Sequence, residues 1–200
     1  DHDATNEGKI VVTNVDGGSG IETTGDRQSD IVNTGTITVD ETYEPTDIDN
    51  DKDLDGPFAV GTDRVGIRIR GNLTGNIVNS GKITVEGNDS AGIWVAGVVD
   101  GKLVHDGETV VLGDRSVGID VQDVTGDVRL AGTVSAKGED AIAARFAGDL
   151  DGTLVVQGTI VSTGYRAVTA PADLSKLDDD DVLQGGSAIV IEGDVAKGIR

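Results

Sequence analysis

Gly8, Gly35, Gly81, Gly107, Gly132 and Gly158 each open a run in which small or polar residues alternate with apolar ones. The gaps between them are 27, 46, 26, 25 and 26 residues. Only the second gap is out of step. Gly35 to Gly66 spans 31 residues where Gly81 to Gly92 spans 11, so 20 residues are inserted there and the underlying step is again 26. The stretch 79–101 shows the unit plainly: Gly81-Lys82-Ile83-Thr84-Val85, then Gly92-Ile93-Trp94-Val95, then Gly97-Val98-Val99-Asp100. Each piece has the two-residue period of a half-buried strand and is bounded by Gly, Asn, Asp or Ser. Six units of one length are a solenoid signature, because no single unit can bury its apolar face alone.

The unit also selects among solenoids. Helical repeats need apolar runs of 3.6-residue period, and leucine-rich repeats need Leu at fixed positions; neither is present. Tandem G-G-x-G-x-D nonapeptides and a strict six-residue step are missing too. What remains is an all-β fold, a right-handed parallel β-helix of about six coils with three short strands per coil. Equivalent residues of successive coils then sit about 4.8 Å apart. This register places Ile21, Ile67, Ile93, Ile119 and Ile142 in one inward column of the second strand. In the third strand the inward column is Ile31, Ile77, Val99 or Leu103, Val128 and Leu154. The corner before the first strand reads Asn6, Asn33, Asn79, His105, Leu130, Val156, which predicts a short asparagine ladder. In the fourth coil Thr109 and Val111 face inward, or a bulge shifts them.

Residues 1–200 read as one domain carrying two insertions, about 41–63 and 165–186. Both leave the corner between first and second strands, and both run Tyr, Pro, an Asp cluster, Gly. They look like two copies of one loop, four coils apart on one side of the rod, roughly 20 Å at one coil per ~4.8 Å. Neither end of the chain shows a polar cap, so the sequence predicts a piece of a longer solenoid or self-association through uncapped coil ends.

The net charge is −20. Phosphate backbones and anionic lipid are repelled by such a surface, and basic partners or divalent cations are attracted. With no Cys there is no disulfide framework and no thiolate metal site. Asp49, Asp51, Asp53 and Asp55, followed by Gly56, place carboxylates at every second residue of the first insertion, a spacing that can wrap calcium. Thr62 stands where an EF-hand loop would have Glu. Asp178–Asp181 form a poorer cage, because consecutive side chains diverge. A solvated acidic loop is the plainer reading of both.

No catalytic group emerges. Ser19 and His105 lie about three coils apart, too far for a nucleophile and its base. An outward column of Glu22, Arg68, Trp94, Asp120, Ala143 and Val190 predicts a surface ladder in which Arg68 pairs with Glu22 and stacks on Trp94. One Trp, two Tyr and two Phe are few for a broad sugar-binding face.

The units NSGKITVEGNDSAGIWVAGVVDG and GTVSAKGEDAIAARFAGDLDGTLVVQGTIVSTG resemble passenger domains of bacterial autotransporters. The inserted TAPADLSKLDDDDVLQGGSAIVIEGDV is similar to loops of large alphaproteobacterial members. The resemblance spans essentially the whole chain. It implies a signal peptide upstream and an outer-membrane β-barrel downstream, and a cell-surface or extracellular location. The expected function is a structural or adhesive β-helix with contact loops on one side. A self-assembling surface-layer or filament subunit and a polysaccharide-active enzyme are the alternatives.

Overall fold

The computed structural model describes residues 2–48, 50, 54–165, 177 and 179–200. The chain winds into a parallel β-solenoid of six coils. The coil opened by Gly81 shows the plan: a first strand Lys82–Glu86, a second Ala91–Val95, a two-residue pairing at Val99–Asp100 and a third strand Leu103–His105. Each long strand pairs in parallel with its equivalents above and below, giving three six-stranded sheets. Val99–Asp100 belongs to a smaller three-stranded sheet, which isolated bridges extend through Val124 and Leu150 to Val195. The single helical turn among the described residues, Asp180–Val182, lies in the second insertion.

The glycine period has a steric cause. A Cβ added at Gly35, Gly81, Gly107, Gly132 or Gly158 would lie only 1.9–2.1 Å from the carbonyl oxygen of the glycine one coil earlier. Backbones meet at this corner with no room for a side chain, so the position repeats as Gly.

The core is a set of one-residue-wide columns. Ile21, Ile67, Ile93 and Ile119 stack in register, as do Ile31, Ile77, Leu103, Val128 and Leu154. Leu103 therefore fills the third-strand column, and Val99 sits between Leu73 and Val124 in the smaller sheet. Thr109 and Val111 both point inward and are fully buried, with no shift of the strand. Burying each of these aliphatic side chains is worth roughly 1.5–3 kcal/mol.

The fifth coil corrects the expected column. Ile142 pairs with Val117, and Ala144 continues the isoleucine column below Ile119. Ala144 lies 25 residues after Ile119, and the apolar Ile142, two positions ahead of it, is the equivalent of Val117 instead. Ala144 is small, but the buried ring of Phe146 occupies the neighbouring inward position and fills the coil. By the same shift Arg145, not Ala143, follows Asp120 on the outer face.

The asparagine ladder is present and ends on a histidine. Asn6 Nδ2 donates to Asn33 Oδ1 at 2.8 Å, and Asn33 Nδ2 donates to Asn79 Oδ1 at 2.7 Å. Asn79 Nδ2 lies 3.0 Å from His105 Nδ1, and His105 Nε2 lies 3.0 Å from the Thr133 carbonyl. A carbonyl only accepts, so Nε2 carries the proton and Nδ1 accepts from Asn79. Protonating Nδ1 would set a donor against a donor. Reversing Asn79 to accept would break its bond with Asn33, and so on up the ladder. Burial holds the His105 pKa below its ordinary 6.5, against the pull of the Thr133 carbonyl and of neighbouring Asp106. The unfolded chain therefore takes up this proton first. Stability should be complete above pH 6.5 and fall as the pH drops below it, by up to about 1.4 kcal/mol per pH unit. Urea melts at pH 7.5 and 5.5 check this, and a His105→Asn variant, which extends the ladder, should lose this part of the dependence.

Candidate functional site

The corner between first and second strands concentrates the unusual features. Asp63, Asp89, Arg115 and Asp140 occupy equivalent positions there, with φ of 50–54°. Left-handed backbone at a non-glycine residue is uncommon, and Asp tolerates it better than most. Next to them, Asn88 Oδ1 accepts the Asp114 N–H at 2.8 Å and Asp114 Oδ1 accepts the Glu139 N–H at 2.9 Å. Each corner side chain thus caps the backbone of the coil beyond it.

Both insertions spring from this corner. A buried ion pair holds the first at its base: Arg64 Nη1 is 2.7 Å from Glu41 Oε2, with side-chain exposures of 3% and 4%. Glu41 also accepts the backbone N–H groups of Val60 and Gly61, at 2.7 and 2.9 Å. Arg64 donates further to the Glu86 carbonyl and to Asp16. Burial, with Asp40, Glu44 and Glu41 nearby, raises the Glu86 pKa.

The two insertions do not stand apart as their spacing in the chain predicts. Phe58 of the first stacks on Tyr165 at the start of the second, with ring centroids 4.2 Å apart. The Gly56 N–H donates to Asp180 Oδ2 at 3.0 Å. Tyr165 is buried, and its hydroxyl donates to Asp114 Oδ1 at 3.0 Å. Burial and the Asp114 carboxylate push the Tyr165 pKa well up. Lys137 Nζ sits 4.3 Å from the Phe58 ring centroid. The loops lean over the intervening coils because apolar rings at their bases find each other there.

Beside this corner runs a groove of about 420 Å³ over coils two to five. Val65, Ala91, Val117 and Ile142, stacked one per coil, line it. One wall is the outer column Arg68, Trp94, Asp120, Arg145; the other is the left-handed corner column. Arg68 Nη2 crosses to Asp63, 2.7 Å from its carbonyl and 3.1 Å from Oδ1, while Arg68 Nε donates to Ser19 Oγ at 2.8 Å. The Arg68 guanidinium carbon is 5.8 Å from the Trp94 ring centroid. Arg145 grips Asp120 with two bonds of 3.0 and 2.8 Å, and Arg115 grips Asp89 with two of 2.8 Å. The Arg115 bonds hold the Asp89 carboxyl below its usual pKa.

The stacking of Arg68 on Trp94 is as expected, but the partner of Glu22 is different. Glu22 pairs with Arg70 at 2.5 Å, because Arg68 is turned toward Ser19 and Asp63. Ser19 and His105 serve separate networks, the first under Arg68 and the second in the asparagine ladder. Of the four candidate calcium ligands, Asp49, Asp51 and Asp53 lie outside the described residues, as does Asp178 of the second cluster. Asp55 is bridged to Thr46 through its backbone, and its carboxylate accepts the Ile48 N–H. Asp180 accepts from Gly56. Among the described residues no three His, Asp or Glu side chains converge as a metal site. Sequence reasoning missed the Arg64–Glu41 pair and the Phe58–Tyr165 stack. The only signal was that each insertion begins or ends in an aromatic or a charge with no counterpart in the regular coils.

The fold and this side define a β-solenoid with one decorated face. Comparison with protein-family models, curated proteins and solved structures yields no match for the chain.

Arg64→Met would leave the buried Glu41 carboxylate without its cation and should cost about 3–5 kcal/mol. Lys82→Ala, which breaks the exposed pair with Glu108, should cost less than about 1 kcal/mol. Denaturant melts of the two variants, with limited proteolysis of the first insertion, measure the contrast.

Proposed function

We propose that this chain is a stretch of a cell-surface or secreted structural and adhesive β-solenoid, of the autotransporter-passenger kind, whose outside contacts are made by the two insertions. One observation carries the reading. Of the eight exposed large apolar side chains among the described residues, five lie in the insertions: Ile48, Leu54, Val60, Leu177 and Val182. The regular coils turn their polar side chains to capping one another and expose few apolar ones. Apolar residues gathered on a raised, acidic platform are the pattern of a contact surface. The rod beneath acts as a spacer that fixes the two loops relative to each other.

Antibodies against the platform should label intact cells or the culture medium of the producing organism. Labelling that appears only after lysis would overturn the reading. A second variant separates platform from rod: residues 41–64 and 164–186 are each replaced by the short corner 87–90, so that an Asp equivalent to Asp89 stands in for Asp63 and Arg64 is removed together with its partner Glu41. It should melt as cooperatively as the parent yet lose attachment to whatever surface the parent coats.

A further inference from the structure

The groove beside the platform has a chemistry that the contact role does not use. It is lined by four carboxylates and three guanidiniums, so its net charge is −1 on a chain of −20. Three ion pairs, Arg68–Asp63, Arg115–Asp89 and Arg145–Asp120, lock these charges together at 2.8–3.1 Å. An anion would have to detach a carboxylate from its guanidinium to bind there. A cation would find the more acidic insertions first. The paired groups nevertheless keep unused carboxylate lone pairs and guanidinium N–H bonds, which suit hydroxyl groups, since a hydroxyl both donates and accepts. Among these polar walls stand the half-buried indole of Trp94 and the apolar strip of Val65, Ala91 and Val117.

A ligand that matches must be uncharged and rich in hydroxyls, and must offer a flat apolar face to the part of the indole that Arg68 leaves uncovered. A pyranose ring has both properties. The groove crosses four coils, roughly 14 Å at the interstrand spacing, and its volume is that of a small-ligand site. We propose that it binds a neutral oligosaccharide lying along the rod, with one sugar ring against Trp94 and hydroxyls on the Asp120–Arg145 and Asp89–Arg115 pairs. The paucity of aromatics argued against a broad sugar-binding face; a single ring suffices where a groove encloses the ligand on two sides.

Trp94 is the only tryptophan, so its emission reports on the groove directly. The intact chain should be titrated with neutral gluco-, manno-, galacto- and xylo-oligosaccharides, with a uronic-acid oligomer and with a lysine-rich peptide. At least one neutral oligosaccharide should give a saturable emission change, with the charged ligands at least tenfold weaker. Calorimetry should show binding weakened at least tenfold in Trp94→Ala. Asp120→Asn, which keeps the side-chain shape, should show the same weakening with cooperative melting retained. The variant lacking both insertions should still bind, which separates this site from the platform. The proposal fails if no neutral oligosaccharide saturates the signal at millimolar concentration. It also fails if the charged ligands bind more tightly, or if both point variants bind as the parent does.

Discussion

Everything in this molecule depends on one coil's backbone lying in register on the next. The interstrand hydrogen bonds fix a rise of about 4.8 Å, and at that spacing each residue's nearest neighbours are its own equivalents. A slip of one residue would turn every inward side chain outward. The sequence is therefore constrained column by column. Glycine recurs where backbones touch, as at Gly81, Gly107 and Gly132. Isoleucine recurs where the interior needs bulk, and asparagine where an amide can both donate to one neighbour and accept from the other.

The same register explains much of the acidity. Asp26, Asp30, Asp123, Asp127 and Asp149 each accept a backbone N–H from the next coil through Oδ1, at 2.7–2.9 Å. Asn72 and Asn76 do the same at neighbouring positions of these corners. A carboxylate or an amide serves equally as acceptor, but the carboxylate adds charge. The Thr153 N–H accordingly holds the Asp127 pKa below its usual value. These carboxylates are tied into coil-to-coil contacts. The insertions are different: residues 41–63 hold eight acidic groups against one Lys, and residues 165–186 hold five against two basic ones. Half of the net charge of −20 thus sits on the platform, where it bears on outside partners.

What could be read from the chain was whatever repeats. The glycine step, the isoleucine column down to Ile119, the ladder from Asn6 to His105 and the shared corner of the insertions all declare themselves by recurrence. The fifth coil shows the limit. A misleading Ile142 moved the expected column two residues from Ala144, and the ladder that pairs Ile119 with Ala144 and Asp120 with Arg145 discloses the true register. Contacts made once are harder still. Phe58 meets Tyr165, and Arg64 meets Glu41, through loops that obey no period. Arg68 chose Asp63 over Glu22 because the left-handed corner brings the Asp63 carbonyl and carboxylate to it together. The groove combines the two: its lining Val65, Ala91, Val117 and Ile142 repeats coil by coil, while the ion pairs along its walls are individual choices of partner.

The outer column Val11, Thr38, Thr84, Val110, Ser135, Val161 offers a direct measure of the register. The chain has no cysteine of its own, so spin labels can be placed in pairs without interference. With one label at Val11 and the second at Val110, Ser135 or Val161, the separations should grow in equal steps, from about 14 to 19 to 24 Å. The equal steps should hold even though the chain between Val11 and Val110 contains the 20-residue insertion. Separations that scatter, or that do not lengthen steadily along this series, would contradict the stacked-coil account.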